Sequence, residues 1–141
     1  MKVVKDIMCT EVISVDMESS IKDALGIMVD QEVRHLPVLQ DGVLRGMVSD
    51  RNIKEYALPA TEEYLEASSR HVRLDAAISV IMEGDFTTVT PDTSIHAAID
   101  ALLGIQSGAM PVVTSENSGK VCGIVSYVDI LIAAKKLFEG A

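Results

Sequence analysis

Two short segments of the sequence place a serine three residues before an acidic or amide side chain. Ser126 precedes Asp129, and Ser49 precedes Asn52. If a helix begins here, the carboxylate of Asp129 can accept hydrogen bonds from hydroxyl groups, and the serine and the first helical amides can receive a phosphate. The same spacing also suits a helix cap, in which both side chains bond only nearby backbone. The pattern therefore indicates either a ligand site or a pair of caps.

Three basic side chains lie within or near these segments. Arg51 lies between Ser49 and Asn52. Arg34 and His35 come directly before an apolar-Pro-Val run, residues 36–38, which is typical of a buried strand. Such cations pair with phosphate oxygens. Arg34 could equally pair with Asp30 or Glu32, and His35 could be a hydrogen-bonded histidine at the end of a strand.

We do not expect the chain to catalyse a reaction. The sequence has no nucleophile elbow, no Walker loop, no GxGxxG fingerprint and no HExxH motif. No group of His, Cys, Asp and Glu has metal-ligand spacing, so we expect neither a structural metal nor a catalytic cofactor. Cys9 and Cys122 lie in apolar segments without CxxC spacing, and we expect both to be buried packing residues.

Composition and charge narrow the class of protein. With 48% hydrophobic residues among 141, the chain can bury the core of one compact module. A net charge of −9 opposes binding to nucleic acid and to anionic membrane surfaces, although a few local cations can still hold a small phosphate. No stretch reaches the roughly 18 apolar residues of a membrane span, and the start lacks a signal-peptide pattern. We therefore expect a cytoplasmic protein.

An internal repeat organises the chain. Shifting the sequence by 74 residues gives eight identities over 32 positions, which begin at Ile7 and end at Val38 in the first copy. After a longer turn in the second copy the shift becomes 77, because extra residues in a turn leave the flanking strands unchanged. We predict a first repeat at residues 1–54, a partly helical connector at 55–79 and a second repeat at 80–141.

Each repeat is predicted to have the element order β-α-β-β-α. Its first helix is marked by a Ser or Thr cap and by apolar residues at i, i+3, i+4 and i+7. One repeat alone is small and would leave a face of its sheet uncovered, so we expect the two sheets to pack together. The predicted strands are residues 12–15, 36–39 and 43–49 in the first copy and 86–89, 110–114 and 121–126 in the second, with helices after Ser20 and Ser94 and from near Asp50 and Val128.

This repeated pattern resembles the cystathionine-β-synthase (CBS) domain family. A Pro-Val strand is followed by Gly, two hydrophobic residues, Ser, two further residues, Asp or Asn, and Ile, from Arg34 to Ile53 and again from Met110 to Ile130. The polar connector after the first copy also resembles the acetoin-utilisation B-like CBS pairs. The resemblance implies an α/β (α+β) fold of two β-α-β-β-α repeats, packed sheet to sheet with pseudo-two-fold symmetry.

Many CBS pairs bind AMP, ADP, ATP or S-adenosylmethionine in clefts between their repeats, and the resemblance implies which residues would line them here. The Ser and Asp of one repeat share a cleft with first-strand and Pro-Val-strand residues of the other. The cleft expected to be stronger uses Asp129 as ribose acceptor and comprises Ile13, Val33, Arg34, His35, Ser126 and Asp129. The cleft expected to be weaker, because Asn52 lacks the charge of Asp, comprises Ser49, Arg51, Asn52, Thr87, Ser107 and Ala109.

The resemblance thus implies a non-catalytic regulatory module that binds an adenine nucleotide as its regulatory ligand and signals to a separate partner protein. S-adenosylmethionine and NAD are alternative ligands. A different alternative is a ligand-free structural module, since the last helix, from Ile130 to Phe138, is too apolar to be fully solvated and favours a homodimer. We expect neither nucleic acid nor a membrane among its partners.

Overall fold

The computed structural model describes residues 2–57, 74–105 and 107–139 of the chain, and most of the predicted connector lies outside these residues. The first copy of the repeat contains β1 (Val15–Asp16), α1 (Ile21–Gln31), β2 (His35–Gln40), β3 (Val43–Ser49) and α2 (Asp50–Ala57), and the second contains α3 (Ile95–Ile105), β4 (Ala109–Val113), β5 (Val121–Ser126) and α4 (Tyr127–Glu139). Two 3-10 turns, Val4–Asp6 and Ile78–Val80, precede the copies. The predicted mixed α+β fold is confirmed.

The first helix of each repeat begins where the sequence predicts it. The Ser20 hydroxyl accepts a hydrogen bond from the Asp23 amide at 3.0 Å, and the Ser94 hydroxyl accepts one from the Ala97 amide at 3.0 Å. Each serine satisfies an amide that the helix itself leaves without a partner. α1 ends at Glu32, which takes a left-handed conformation with φ 55° and turns the chain towards β2.

The hairpins of the two repeats also form as predicted. β2 pairs antiparallel with β3, and β4 pairs antiparallel with β5. Each hairpin has one register shift, between Val38 and Leu39 in the first copy and between Val112 and Val113 in the second. Because these two irregularities are separated by the repeat length, the copies agree in backbone detail as well as in element order.

The strand predicted at the start of each repeat is shorter than expected. Only Val15–Asp16 pairs as a strand, parallel to β2, and the second copy has a single parallel bridge at Val89. The chain bends directly after β1, where the Ser19 amide donates to the Asp16 carbonyl at 3.0 Å. The longer strands predicted from the sequence are therefore wrong in extent, because only the last residue of each, Val15 or Val89, reaches a neighbouring strand, and residues 12–14 and 86–88 have no strand pairing.

The chain divides into two packing units. Residues 13–85 form the first unit, and residues 1–12 together with 86–141 form the second unit. This grouping differs from the division of the sequence into repeats. The leading segment of the first repeat, residues 1–12, packs in the unit that holds the second repeat's hairpin. The leading segment of the second repeat, residues 74–85, packs in the unit that holds the first repeat's hairpin. The boundaries at 54 and 79 remain a prediction about the sequence repeat.

The two 3-10 turns show how this exchange of leading segments stabilises each unit. Ile78 is fully buried in the first unit, and its amide donates to the Ser19 carbonyl at 2.8 Å. Val4 is fully buried in the second unit, and its amide donates to the Thr93 carbonyl at 2.8 Å. Each turn therefore fills a core position that the hairpin and helices of its unit leave open.

Aliphatic side chains form a separate core in each unit. Their burial removes apolar surface from water, which is the main favourable contribution to folding. The buried residues of the first core are Val15, Ile21, Ala24, Met28, Leu36, Val38, Val48, Ile53 and Ile78. Those of the second core are Val4, Val89, Ala98, Leu102, Met110, Val112 and Val125.

A glycine in each hairpin allows the leading segment to approach the sheet. Met47 and Glu83 exchange backbone hydrogen bonds of 3.0 and 2.8 Å, so Glu83 extends the edge of the sheet beyond β3. A Cβ on the adjacent Gly46 would lie 2.8 Å from the Glu83 carbonyl oxygen and 3.0 Å from the Met82 sulfur. A side chain at this position would therefore push the leading segment away.

The described helices include none that is both long enough and apolar enough to cross a bilayer.

We predict that Gly46→Ala destabilises the chain by about 1–3 kcal/mol, the usual cost of overpacking. The carbonyl that its Cβ meets belongs to paired backbone, which cannot move aside as a flexible side chain can. Gly26→Ala is the matched control, since Gly26 lies within α1 and a Cβ there would meet nothing within 4 Å. It should stabilise by about 0.5–1 kcal/mol through helix propensity. Urea unfolding measures both, and equal effects would contradict the steric explanation.

Candidate functional site

Ser126 and Asp129 form a reciprocal cap at the junction of β5 and α4. The backbone amide and hydroxyl of Ser126 donate to Asp129 Oδ2 at 2.9 and 3.1 Å, and the Asp129 amide donates to the Ser126 hydroxyl at 3.3 Å. Only one carboxylate oxygen takes part. Among the described residues, Oδ1 accepts no hydrogen bond, and Asp129 is half-buried.

Ser49 and Asn52 form the equivalent cap at the junction of β3 and α2. The amide and hydroxyl of Ser49 donate to Asn52 Oδ1 at 2.8 and 2.9 Å, and the Asn52 amide donates to the Ser49 hydroxyl at 3.1 Å. A backbone N–H can only donate, so the side-chain oxygen must face Ser49 and the Nδ2 group must face away. The Nδ2 group donates to Glu83 Oε1 at 3.0 Å.

The cap explanation is therefore correct for both segments, and it does not exclude ligand binding. Each cap uses one polar atom of the Asp or Asn side chain and leaves the other directed away from the serine. At Asp129 the remaining atom is an anionic acceptor, whereas at Asn52 it is an N–H donor. The two junctions thus share a backbone geometry but present opposite hydrogen-bonding groups.

The start of each Pro-Val strand lies beside the capping serine of the same unit. His35 pairs with Ser49 across β2 and β3, and Ala109 pairs with Ser126 across β4 and β5. The first helical amide then donates to the carbonyl before the strand, from Asp50 to Arg34 at 3.0 Å. The predicted clefts combine residues from both units, and that combination stays a prediction.

The basic residues of the first unit differ in their surroundings. Arg34 is exposed and, within the described part of the chain, makes no ion pair with Asp30 or Glu32. Arg51 donates from Nε to Glu55 Oε1 at 2.9 Å in an exposed ion pair. Because an exposed pair contributes little free energy, Arg51 can exchange this partner for an anionic ligand.

The other predicted site residues are half-buried or buried in their units. In the first unit Ile13 and Val33 are half-buried and pack against its core. In the second unit Thr87 and Ser107 are half-buried, and the Ser107 hydroxyl donates to the carbonyl of the buried Ala109 at 3.3 Å. These residues supply apolar surface and backbone polar groups rather than charge.

Burial lowers the pKa of His35 below its usual value. Loss of water around the imidazole is the main cause, and Asp50 and Glu83 oppose it by favouring the charged form. Among the described residues the ring makes no hydrogen bond, and the alternative of a hydrogen-bonded histidine at the strand end stays a prediction. Near neutral pH the structure favours an uncharged His35.

Glu83 is a site residue that the sequence analysis missed. It contacts Asn52 by a hydrogen bond and influences His35 electrostatically. The alignment of the two copies could have indicated this residue, because the copies differ in charge at two positions. The shift of 74 aligns Cys9 with Glu83, and the shift of 77 aligns Asn52 with Asp129. The first copy lacks a carboxylate at both positions and the second copy has one at both, so the exchange of segments leaves one in each packing unit.

The expectation that both cysteines are buried is wrong. Cys9 is exposed and Cys122 is half-buried. Cys9 exchanges backbone bonds of 2.8 and 2.9 Å with Ile124 at the edge of β5, which directs its side chain away from the core. Among the described residues, no three His, Cys, Asp or Glu side chains are grouped to hold a metal ion.

Comparison with known families assigns the chain to one of them. The CBS domain family profile matches residues 4–59 and 77–136, one domain for each copy of the repeat. The chain belongs to the CBS domain family. It is 29% identical over 132 residues to the CBS domain-containing protein YhcV of Bacillus subtilis, covering 94% of this chain and 85% of YhcV.

Solved structures of CBS pairs share the fold. A crystal structure from Vibrio cholerae named for acetoin utilization (AcuB) has a TM-score of 0.79 at 21% identity, covering 99% of this chain and 94% of that one. The CBS pair of MJ0100, in complex with 5-methylthioadenosine and S-adenosyl-L-methionine, has a TM-score of 0.75 at 25% identity over 98% and 96%. CBSX2 in complex with AMP has a TM-score of 0.79 at 24% identity over 97% and 98%.

We predict that His35 makes the stability of the chain depend on pH near neutrality. Because its pKa is lowered on folding, the unfolded chain takes up the proton first, and stability present above about pH 6.5 is lost as the pH falls. Urea unfolding at about pH 7.5 and 5.5 should show a smaller loss in His35→Gln than in the wild type. His96→Gln, at an imidazole that is 89% exposed, is the control. An identical loss in all three proteins would exclude His35 as the cause.

Proposed function

We propose that the chain is a non-catalytic regulatory module that binds an adenine nucleotide, of the AMP, ADP or ATP class, and signals to a separate protein in the cytoplasm. The observation that carries the proposal is that Oδ1 of Asp129, beside the capped N-terminus of α4, accepts no hydrogen bond from the residues that the structure describes. The assignment to the CBS family supports it, as do the adenosyl ligands named for MJ0100 and CBSX2.

The Asp129 carboxylate suits the ribose of such a ligand. Oδ2 is held by two donors of Ser126, so the carboxylate keeps its orientation when Oδ1 accepts a hydrogen bond. An anionic oxygen can accept from both hydroxyls of a vicinal diol, and these charge-assisted bonds are stronger than neutral ones. The diol would therefore bind to a preformed acceptor.

The start of α4 can also favour a phosphate. α4 has 13 residues, and its first amides carry partial positive charge that is directed out of the helix. The family resemblance implies that Arg34 and His35 are the side chains that contact the phosphate of this ligand. Since His35 is mainly uncharged near neutral pH, Arg34 carries most of the predicted charge pairing.

A signal requires that the ligand bind two states of the chain with different affinity. The leading segments suit this role because Glu83 pairs with β3 next to Asn52, and its equivalent, Cys9, pairs with β5. A ligand at either junction contacts an edge to which a leading segment is bonded. Movement of that segment is the change that we propose a partner protein recognises. S-adenosylmethionine and NAD remain alternative ligands, because they share the adenosyl ribose.

We predict that Asp129→Asn weakens adenosyl-ligand binding about tenfold while leaving the fold intact. Asn52 shows that an asparagine forms the same cap, so the substitution removes the anionic acceptor without removing the cap. Asp100→Asn is the matched control, since the Asp100 side chain is 70% exposed on α3 of the same unit. Isothermal titration with AMP, ADP, ATP, NAD and S-adenosylmethionine measures the affinities.

Two outcomes of this titration would count against the proposal in different ways. If the wild type binds none of the five ligands at millimolar concentration, the sensor function is wrong. If it binds one of them and Asp129→Asn loses neither affinity nor the number of ligands bound per chain, the function stands and the role of Asp129 is wrong.

A second candidate function is assembly, and the outer face of α4 favours it. Ala133 is buried, whereas Val128, Leu131, Ile132 and Phe138 are 62%, 66%, 52% and 76% exposed. Val128, Leu131 and Phe138 lie on the side of the helix opposite Ala133, and Ile132 lies at the margin of that side. A second copy of the chain carries the same apolar face, so we propose a homodimer with paired α4 helices.

We predict that Leu131→Asp converts a dimer into a monomer, because a carboxylate would be buried without a partner in the paired helices. Light scattering coupled to gel filtration measures the mass. Val80→Asp is the control, since Val80 is 62% exposed on a 3-10 turn of the first unit. A wild-type monomer, or a Leu131→Asp dimer, would show that α4 does not form the interface.

A further inference from the structure

The hydrogen bond between Asn52 and Glu83 changes what the first unit can bind. Asn52 Nδ2 donates one proton to Glu83 Oε1 at 3.0 Å and retains a second N–H. Glu83 retains Oε2, which accepts no hydrogen bond among the described residues. Both side chains are accessible, with Asn52 half-buried and Glu83 exposed. The pair therefore presents one donor and one anionic acceptor side by side.

The second unit has the reverse arrangement at the equivalent positions. Asp129 supplies the carboxylate there, and Cys9, the equivalent of Glu83, carries no formal charge in its thiol form. Both leading segments are fixed by the same backbone bonds, Glu83 to Met47 and Cys9 to Ile124. At these two equivalent positions each unit thus has one carboxylate, placed on the helix in the second unit and on the leading segment in the first.

We propose that Glu83 is the anionic acceptor of a ligand site in the first unit, and that the Asn52–Glu83 pair binds a ribose diol. One hydroxyl accepts from Asn52 Nδ2 while the other donates to Glu83 Oε2, whereas at Asp129 both hydroxyls donate to one carboxylate. This inference rests on the proposed function. It opposes the expectation that Asn52 weakens the first-unit site through loss of charge, because Glu83, the hydrogen-bond partner of Asn52, supplies the negative charge.

The pair also limits the ligand's chemistry. Glu83 orients the Asn52 amide so that its donor faces the ligand, and its own charge disfavours a phosphate at this edge. The diol must therefore be free of phosphate at both hydroxyls, and the ligand's own phosphates must point elsewhere. A nucleoside or a 5′-substituted nucleotide with an unmodified 2′,3′-diol meets this requirement.

The test exchanges the two side chains and measures binding of adenosine monophosphate by isothermal titration. Each variant is made in the Asp129→Asn background, which impairs the second-unit site. Glu83→Gln keeps a hydrogen bond to Asn52 but removes the charge, and we expect affinity to fall about tenfold. Asn52→Asp places two carboxylates about 3 Å apart and should also weaken binding. The double variant Asn52→Asp with Glu83→Gln should recover to within about threefold of its parent.

The single Asn52→Asp variant is decisive. If Glu83 does not contact the ligand, the new carboxylate would simply supply the missing acceptor, and tighter binding would overturn the proposal. Unchanged affinity in Glu83→Gln would overturn it as well. No residual binding in the Asp129→Asn background, when the wild type binds, would refute the first-unit site while leaving the proposed function standing. Failure of the wild type to bind any adenosyl ligand would refute both. Urea unfolding of every variant identifies loss of folding.

Discussion

The backbone bonds between each hairpin and the leading segment at its edge are the constraint on which the other features depend. Glu83 pairs with Met47 and Cys9 pairs with Ile124, and in both places a neighbouring glycine provides the space. The pairing fixes the segment so that Ile78 and Val4 enter the cores. In the first unit it also places Glu83 beside Asn52 at the start of α2. Core packing and site chemistry therefore share one origin in that unit.

Much of the fold is contained in local patterns of the sequence. Ser20 and Ser94 predict helix starts because capping depends on residues that are three apart, and the hairpins follow from β-branched runs around a turn. The first strands could not be delimited in this way. Only Val15 and Val89 of the predicted first strands reach a neighbouring strand, and which residues of an extended run do so is set by tertiary contacts.

The site was predictable to the extent that it lies in the repeated segment. Ser49, Asn52, Ser126 and Asp129 are recognised by spacing, and the structure shows which atom of each pair the cap uses. Glu83 could not be assigned from spacing, because its contact with Asn52 spans 31 residues and depends on sheet-edge pairing. The exposure of Cys9 was missed for the same reason, since an apolar neighbourhood in sequence does not reveal which side of an edge strand a residue occupies.

The exchange of leading segments bears on how such a chain could arise. A single copy of the repeat, with its own 3-10 turn and hairpin, would lack the segment that fills its core, unless a second copy supplied it. Two identical copies would satisfy this need by reciprocal exchange, in the manner of a domain-swapped dimer. Joining them in one chain makes the exchange intramolecular and frees each copy to diverge. The Asn52–Glu83 and Asp129–Cys9 combinations are the kind of divergence that fusion permits, because a change in one half no longer appears in both.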